Sequence, residues 1–210
     1  MPRADRTKPR GGQGDKRQAL LMGALTVFAR DGYTRASIDM IADEAGVSTR
    51  TLYNHFQDKA RLFQAVIQES ASRVAEAQTA LLDRHLRKVT NLETDLIELA
   101  LAWGTPMPDS AEHFALVRQV NAEAGHIPAP AIKAWREAGP LQVRRELARH
   151  LRRLADERLL RVEDPERAAL HFTRLVSVPG PHDGGLALTR KERAEHVASG
   201  VRVFLYGYGR

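Results

Sequence analysis

The sequence predicts an all-α fold with about nine helices, in which an N-terminal three-helix helix-turn-helix domain is joined by a long helix to a larger C-terminal helical bundle. Three observations support this prediction. Apolar residues recur at helical spacing in nearly every segment. No segment shows the polar–apolar alternation of a half-buried strand. The breaks between the periodic segments carry Gly, Pro and N-capping residues.

The first four helices follow from their caps and breaks. A first helix is expected over residues 15–31, and Gly32 ends it. Ser37 and Ser48 are suitable N-caps for two short helices, the first of which ends at Gly46. A long fourth helix is expected over residues 58–86, with its N-cap at Asp58.

The remaining five helices are placed in the same way. The fifth begins at Thr90 or Asn91, since Thr90 and Glu93 have capping-box spacing, and it ends at the Gly-Pro-rich stretch that follows Trp103. The others are expected over about 110–123, over about 130–160 with a bend at Gly139–Pro140, from Asp164–Pro165 onward, and over about 189–206 with a Thr189–Glu192 capping box.

The expected organisation is a disordered basic arm (1–14), a helix-turn-helix domain (15–60) and a larger C-terminal helical bundle (61–210). Residues 1–17 hold six basic and two acidic residues, whereas residues 18–60 hold four basic and five acidic ones. A role for residues 18–60 in binding a polyanion therefore depends on the pattern of side chains and not on net charge.

Several classes of function are disfavoured by the composition. The absence of cysteine excludes disulfides and thiolate metal sites, and no two of the eight histidines are three or four residues apart, so no metal or cofactor is expected. No order of Ser, His and Asp indicates a catalytic triad, which argues against an enzyme. No apolar run is long enough for a membrane span and the N-terminus is too polar for a secretory signal, so a cytoplasmic protein without a membrane partner is expected.

The segment around Gly46 has helix-turn-helix spacing. Gly46 stands four positions after Ala42, which permits a positive-φ turn and a close crossing of two short helices. In the third helix Leu52 and Phe56 share the buried face, and Arg50 lies opposite. A helix that enters a DNA major groove needs this division of faces.

The outward residues of the third helix carry chemistry suited to DNA. Arg50 can bind guanine O6 and N7, and Asn54 can bind adenine N6 and N7. Thr51 can contact a thymine methyl group or a phosphate, while Tyr53 and His55 can donate to phosphates. Two further candidates for phosphate contacts are Lys59, at the start of the fourth helix, and Ser37, at the N-terminus of the second. The alternative is a plain surface helix with one aromatic residue in the core.

The stretch "ALTVFARDGYTRASIDMIADEAGVSTRTLYNHFQDKARLF" (24–63) resembles the DNA-binding domain of the TetR/AcrR family of bacterial regulators. The resemblance implies that Thr49, Arg50 and Thr51 lie nearest the bases, and that Tyr53, His55 and Lys59 contact phosphates. Ala60 stands where the family usually has an acidic residue.

The second half resembles the AefR-like C-terminal domain of the same family, through "HFALVRQVNAEAG" and the segment from Trp135 to Phe172. In that family this domain binds a small ligand and forms a dimer through its last two helices. Large apolar residues are the candidates for lining a pocket, although such residues more often belong to a plain core: Trp103, Met107, Phe114, Val117, Trp135 and Phe172.

The last two helices offer candidates for a two-fold interface, with intramolecular packing of the same helices as the alternative. The candidates are Leu170, Leu175, Val176, Val197, Ala198, Gly200, Val201 and Phe204. The very basic segment 144–161 is interpreted as a solvated helix face, with a second DNA contact as the alternative.

Together these features predict a ligand-responsive transcriptional regulator. The specific hypothesis is a repressor that binds a palindromic double-stranded DNA operator as a homodimer and is released by an unidentified small apolar ligand. The alternative is a helical small-molecule-binding or scaffold protein that retains a helix-turn-helix fold without operator activity.

Overall fold

The structure, a computed structural model, describes residues 13–105, 107, 110–178 and 188–209. Most of the expected basic arm (1–14) lies outside these residues, and Gln13 and Gly14 belong to the first helix. The described residues form ten helices: α1 Gln13–Arg35, α2 Ile38–Glu44, α3 Thr49–His55, α4 Lys59–Leu86, α5 Leu92–Trp103, α6 Ala111–Ala122, α7 Ala129–Ala138, α8 Pro140–Asp156, α9 Pro165–Val176 and α10 Arg190–Tyr208.

The all-α class is confirmed, and the only β pairing in the described residues is one isolated bridge between Leu160 and Gly209. The helix count differs from the expected nine because the bend expected at Gly139–Pro140 is a break between α7 and α8. Proline is well suited to this position, since it lacks the N–H that the first turn of a helix leaves unpaired. Gly32 interrupts α1 at φ 81°, ψ 174°, and one more turn continues to Arg35.

The helix caps agree with the sequence in all but one case. Ser37, Ser48 and Thr189 accept backbone N–H groups as expected, and Thr189 and Glu192 form the predicted capping box. At α5 the cap is Asn91, which accepts from the Thr94 N–H at 2.9 Å, and Thr90 lies outside the helix. The capping box proposed for Thr90 and Glu93 was therefore wrong.

The chain divides into two compact units. Unit 1 comprises the chain up to Ser70 together with Glu112–Trp135, and unit 2 comprises Ala71–Ala111 and the chain from Arg136 onward. Unit 1 is thus built from two separate stretches, whereas the sequence placed a single boundary at residue 60. The physical reason is that α6, the loop after it and the start of α7 carry apolar residues that complete the core of unit 1: Leu116, Val120, Ile127 and Ala131.

The core of unit 1 is otherwise made by the first four helices. Phe28 and Phe63 meet edge to face with their ring centroids 4.9 Å apart, and Leu52 of α3 is fully buried among them. The core of unit 2 contains the buried faces of α8, α9 and α10, including an edge-to-face contact between Phe172 and Phe204 at 5.2 Å. Each core fixes the helices that carry the candidate functional residues.

Candidate nucleic-acid interface

The turn between α2 and α3 has the predicted geometry. Gly46 adopts φ 65°, a left-handed conformation that residues with a side chain rarely adopt. The Val47 N–H donates to the Ala42 carbonyl at 3.0 Å, which closes the turn on the last part of α2. The turn therefore fixes the direction in which α3 leaves α2.

The two faces of α3 are separated as the sequence predicted. Leu52 and Phe56 are buried, while Arg50, Tyr53 and Asn54 are exposed. Tyr53 is 54% exposed, too much for a core aromatic residue. Arg50 makes no hydrogen bond or ion pair with any described residue, so its guanidinium is available to an external partner.

The residues at the start of α3 are partly committed to the cap. The Ser48 hydroxyl accepts from the Thr51 N–H at 3.2 Å and lies 2.9 Å from the Thr51 hydroxyl. Thr49, Thr51 and His55 are half-buried, so they flank the exposed ridge. Because the Thr51 hydroxyl contacts Ser48, the methyl group is the part of the Thr51 side chain that is left for an external contact.

Two of the predicted phosphate ligands have intramolecular partners. The Ser37 hydroxyl accepts from the Met40 N–H at 3.2 Å, as an N-cap does. The Lys59 ammonium donates to the carbonyls of Tyr33 at 2.9 Å and Ala36 at 3.0 Å. Lys59 therefore faces the end of α1, an orientation that could not be expected from the sequence.

A residue that sequence reasoning missed also contacts the end of α1. Glu123, which follows α6, accepts from both the N–H and the hydroxyl of Thr34 at 2.8 Å. The two residues are 89 positions apart, and no short-range pattern signals such a contact.

The six candidate pocket residues divide between the two units. Trp103, Met107 and Phe172 belong to unit 2, and the other three belong to unit 1. Phe172 is fully buried against Phe204. That any of the six candidates lines a ligand pocket stays a prediction.

The proposed interface stripe needs correction. Four of its residues are already buried within one chain, so they are not available to a second copy: Val197, Gly200, Val201 and Phe204. The helix packing that Gly200 permits is intramolecular, since a Cβ at this position would lie 2.2 Å from the Leu175 carbonyl oxygen. The exposed large apolar side chains of α9 and α10 are Leu170, which is one of the candidates, and Val203 and Tyr206, which the sequence did not single out.

The basic segment 144–161 is extensively ion-paired. Arg144, Arg145 and Arg149 lie within 4 Å of carboxylates on Glu166, Glu137 and Glu146, respectively. These pairs support the interpretation as a solvated helix face.

No group of three or more potential metal ligands occurs among the described residues. None of the helices in the described ranges is both long enough and apolar enough to cross a membrane.

A capped pair of short helices, an exposed Arg, Tyr and Asn on the second of them, and a following helical bundle define a protein of the helix-turn-helix DNA-binding class. Comparison with known families agrees with this class. Residues 20–66 match the model of bacterial regulatory proteins of the tetR family. Residues 94–210, more than half of the chain, match the C-terminal domain of AefR-like transcriptional repressors. The chain belongs to the TetR family and has an AefR-like C-terminal domain.

The curated relatives each match a short stretch of the chain. The transcriptional activator FasR of Mycolicibacterium smegmatis is 48% identical over 54 residues, which are 26% of this chain and 25% of FasR. The transcriptional repressor AcnR of Corynebacterium diphtheriae is 39% identical over 61 residues, which are 29% of this chain and 32% of AcnR. The match thus spans about a third or less of these relatives' length. Both are regulators and not enzymes, and they act in opposite directions.

Solved structures resemble the whole chain. A TetR-family transcriptional regulator from Mesorhizobium loti superposes with a TM-score of 0.84 at 26% identity, covering 96% of this chain and 100% of the other. The flavonoid-responsive regulator FrrA gives 0.66 at 28% identity, covering 93% and 98%. These similarities extend the family assignment through both units.

Proposed function

We propose that this protein is a non-enzymatic, cytoplasmic transcriptional repressor that binds a palindromic DNA operator as a homodimer and is released by a small molecule. The observation that carries the proposal is the outward face of α3. It presents Arg50, Tyr53 and Asn54 to solvent directly above the buried Leu52 and Phe56. A helix so anchored can place these side chains in a major groove without disturbing its own core.

Each exposed side chain then has a distinct role. Arg50 has five N–H donors and no partner among the residues that the structure describes, which suits bidentate binding to guanine. Asn54 suits adenine in the same way. The Tyr53 hydroxyl and the flanking His55 donate to phosphates and fix the register of the helix without reading the sequence. The Thr51 methyl group can contact a thymine methyl.

A homodimer is needed because one short helix contacts too few base pairs for useful specificity. Two copies of α3 must lie about 34–36 Å apart, or a multiple of this distance, to enter major grooves on one side of the DNA. We assign the interface to the exposed apolar side chains of α9 and α10, which are Leu170, Val203 and Tyr206. Tyr206 is 96% exposed, so its aromatic ring stays in contact with water unless a partner covers it.

Release by a small molecule is proposed from the AefR-like C-terminal domain and from the likeness to FrrA, a regulator named for its response to flavonoids. A ligand that favours a different separation of the two α3 helices weakens operator binding by population shift. Ligand and operator then oppose each other by the same coupling free energy. We expect an apolar ligand, because the pocket candidates are large apolar residues.

Selection of bound duplexes from a random DNA pool tests the DNA-binding role. We expect a palindromic motif with half-sites separated by about one helical turn. Arg50→Ala should weaken binding to that motif by about 1–3 kcal/mol and relax the preference at one base pair in each half-site. Arg73→Ala, at an exposed arginine of α4, is the matched control and should leave the motif unchanged. Failure to enrich any motif would favour the alternative of a ligand-binding or scaffold protein.

Sedimentation tests the dimer separately. Tyr206→Asp places a charge in the proposed interface and should shift the protein toward monomer. Leu159→Asp introduces the same charge at an apolar residue that is 38% exposed in the segment after α8, and it should leave the dimer intact. A dimer that survives Tyr206→Asp and a matching Val203→Asp would place the interface elsewhere.

A further inference from the structure

Residues 32–37 comprise the last turn of α1, after its break at Gly32, and the link to α2, and are called the α1–α2 junction here. Charged side chains of other elements hold this junction from two sides. On one side is Lys59, the first residue of α4. Its ammonium donates to the carbonyls of Tyr33 at 2.9 Å, Ala36 at 3.0 Å and Thr34 at 3.4 Å. It also lies 4.7 Å from the centre of the Tyr33 ring, within cation–π range.

On the other side is Glu123, which follows α6. One of its carboxylate oxygens, Oε2, accepts from both the N–H and the hydroxyl of Thr34 at 2.8 Å. The other oxygen, Oε1, lies where a side chain at residue 32 would be, because a Cβ on Gly32 would stand 2.1 Å from it. Gly32 therefore provides both the unusual backbone angle at the break in α1 and the space for the carboxylate.

The hydrogen-bonding capacity of Lys59 is fully used in this arrangement. A lysine ammonium has three N–H donors, and three carbonyl oxygens accept from it here. To reach a DNA phosphate, Lys59 would have to release the junction carbonyls and leave them without this donor. The family resemblance assigns Lys59 to a phosphate, whereas the observed contacts give it an intramolecular role.

We propose that Lys59 and Glu123 are positioning residues for DNA binding: together they clamp the α1–α2 junction, which sets the position of α2 and, through the Gly46 turn, of α3. Lys59 then contributes to operator affinity without contacting a phosphate. This proposal rests on the proposed DNA-binding function, since the clamp matters for affinity only if α3 binds DNA.

The salt dependence of binding distinguishes a positioning role from a phosphate contact. Each phosphate that a protein cation neutralises adds about one to the slope of log K against log salt. Lys59→Met keeps an unbranched apolar side chain of similar length and removes the ammonium. We expect it to weaken operator binding about ten-fold or more while the slope stays at the parent value. A slope lowered by about one would overturn the proposal, because Lys59 would then contact a phosphate.

Glu123 is tested with a matched residue in the same unit. Glu123→Ala should weaken operator binding to a similar extent, and Glu123→Gln, which keeps an oxygen acceptor of the same reach, should recover most of the affinity. Glu112→Ala is the control, because Glu112 also accepts a hydrogen bond from α1, from the Thr26 hydroxyl at 3.0 Å, but far from the junction. It should leave affinity within about two-fold of the parent. Equal losses for Glu112→Ala and Glu123→Ala would show that any contact between α6 and α1 suffices, and would overturn the specific role of the clamp.

A measurement without DNA separates the clamp from the proposed function. Amide hydrogen exchange at Thr34 should be slow in the free parent protein and faster in Lys59→Met and in Glu123→Ala, while amides in the middle of α4 stay protected. Unchanged exchange at Thr34 would overturn the clamp even in a protein that binds its operator. Conversely, a protein that binds no operator but shows the expected exchange would refute the DNA-binding function and leave the clamp standing.

Discussion

Replacing Gly200 by alanine is expected to destabilise unit 2, because α10 packs against α9 with no room for a methyl group. A Cβ at residue 200 would lie 2.2 Å from the Leu175 carbonyl oxygen, 2.8 Å from its carbonyl carbon and 3.4 Å from the Val176 nitrogen. These are backbone atoms at the end of α9, so the clash cannot be relieved by a change of rotamer. The two helices must move apart by roughly 1 Å to restore ordinary van der Waals distances.

The magnitude follows from two opposing effects. Overpacking of this kind costs about 1–3 kcal/mol, and a backbone clash belongs at the upper end of that range. Alanine returns about 1 kcal/mol of helix propensity relative to glycine. We therefore expect a net loss of about 2 kcal/mol, which lowers the melting temperature by about 4–8 °C in a chain of this size.

The assay is thermal unfolding followed by far-ultraviolet circular dichroism, with Gly207→Ala as the control. Gly207 lies in the same helix, and a Cβ there would meet nothing within 4 Å. The Gly207→Ala variant should therefore be more stable than the parent protein, by about 0.5–1 kcal/mol. If the two variants shifted the melting temperature in the same direction, the close approach of α9 and α10 at Gly200 would be refuted.

Three further outcomes are expected. Burial lowers the pKa of His150, and Arg149 lowers it further against the opposing effect of Asp83. Neutral His150 therefore contributes fully to the free energy of unfolding above the ordinary histidine pKa of about 6.5, and this contribution is lost as the pH falls below that value. Denaturant titrations from pH 7.5 to 5 should show the loss of stability, and it should be smaller in His150→Gln. Tyr53→Phe should weaken binding to operator and random duplex alike, by about 1 kcal/mol in an equilibrium titration, and a changed base preference would contradict its assignment to phosphate. Deletion of residues 1–12 should lower the salt slope while operator preference is retained, and an unchanged slope would show that this basic segment does not contact DNA.

The local features of the fold could be predicted because short-range physics determines them. The serine caps of α2 and α3, the positive φ of Gly46 and the separation of Leu52 and Phe56 from Arg50 all depend on residues within a few positions of one another. Spacing and capping chemistry are sufficient to specify such features.

The features that the sequence did not predict depend on long-range contacts. The approach of Glu123 to Thr34 and the direction of the Lys59 side chain are set by how whole helices pack. The stripe on α10 shows the same limit. Its periodicity correctly identifies a buried face, but periodicity cannot tell whether that face packs on α9 of the same chain or on a second copy. The burial of Val197, Val201 and Phe204 within one chain, with Gly200 against Leu175 of α9, answers that question for the stripe itself.

The assembly of unit 1 from two stretches of chain affects its biosynthesis and its use in engineering. During synthesis, the helix-turn-helix region emerges well before Leu116 and Val120, so its core cannot be completed until the second stretch has left the ribosome. A chimera joined at residue 60 or 70 would carry α3 and its exposed Arg50 but would leave the apolar surface that α6 covers open to water. A transplant that keeps Glu112–Trp135 with the N-terminal stretch preserves both that core and the carboxylate that holds Thr34. The unit of exchange for this protein is therefore discontinuous in sequence, although its DNA-binding motif is not.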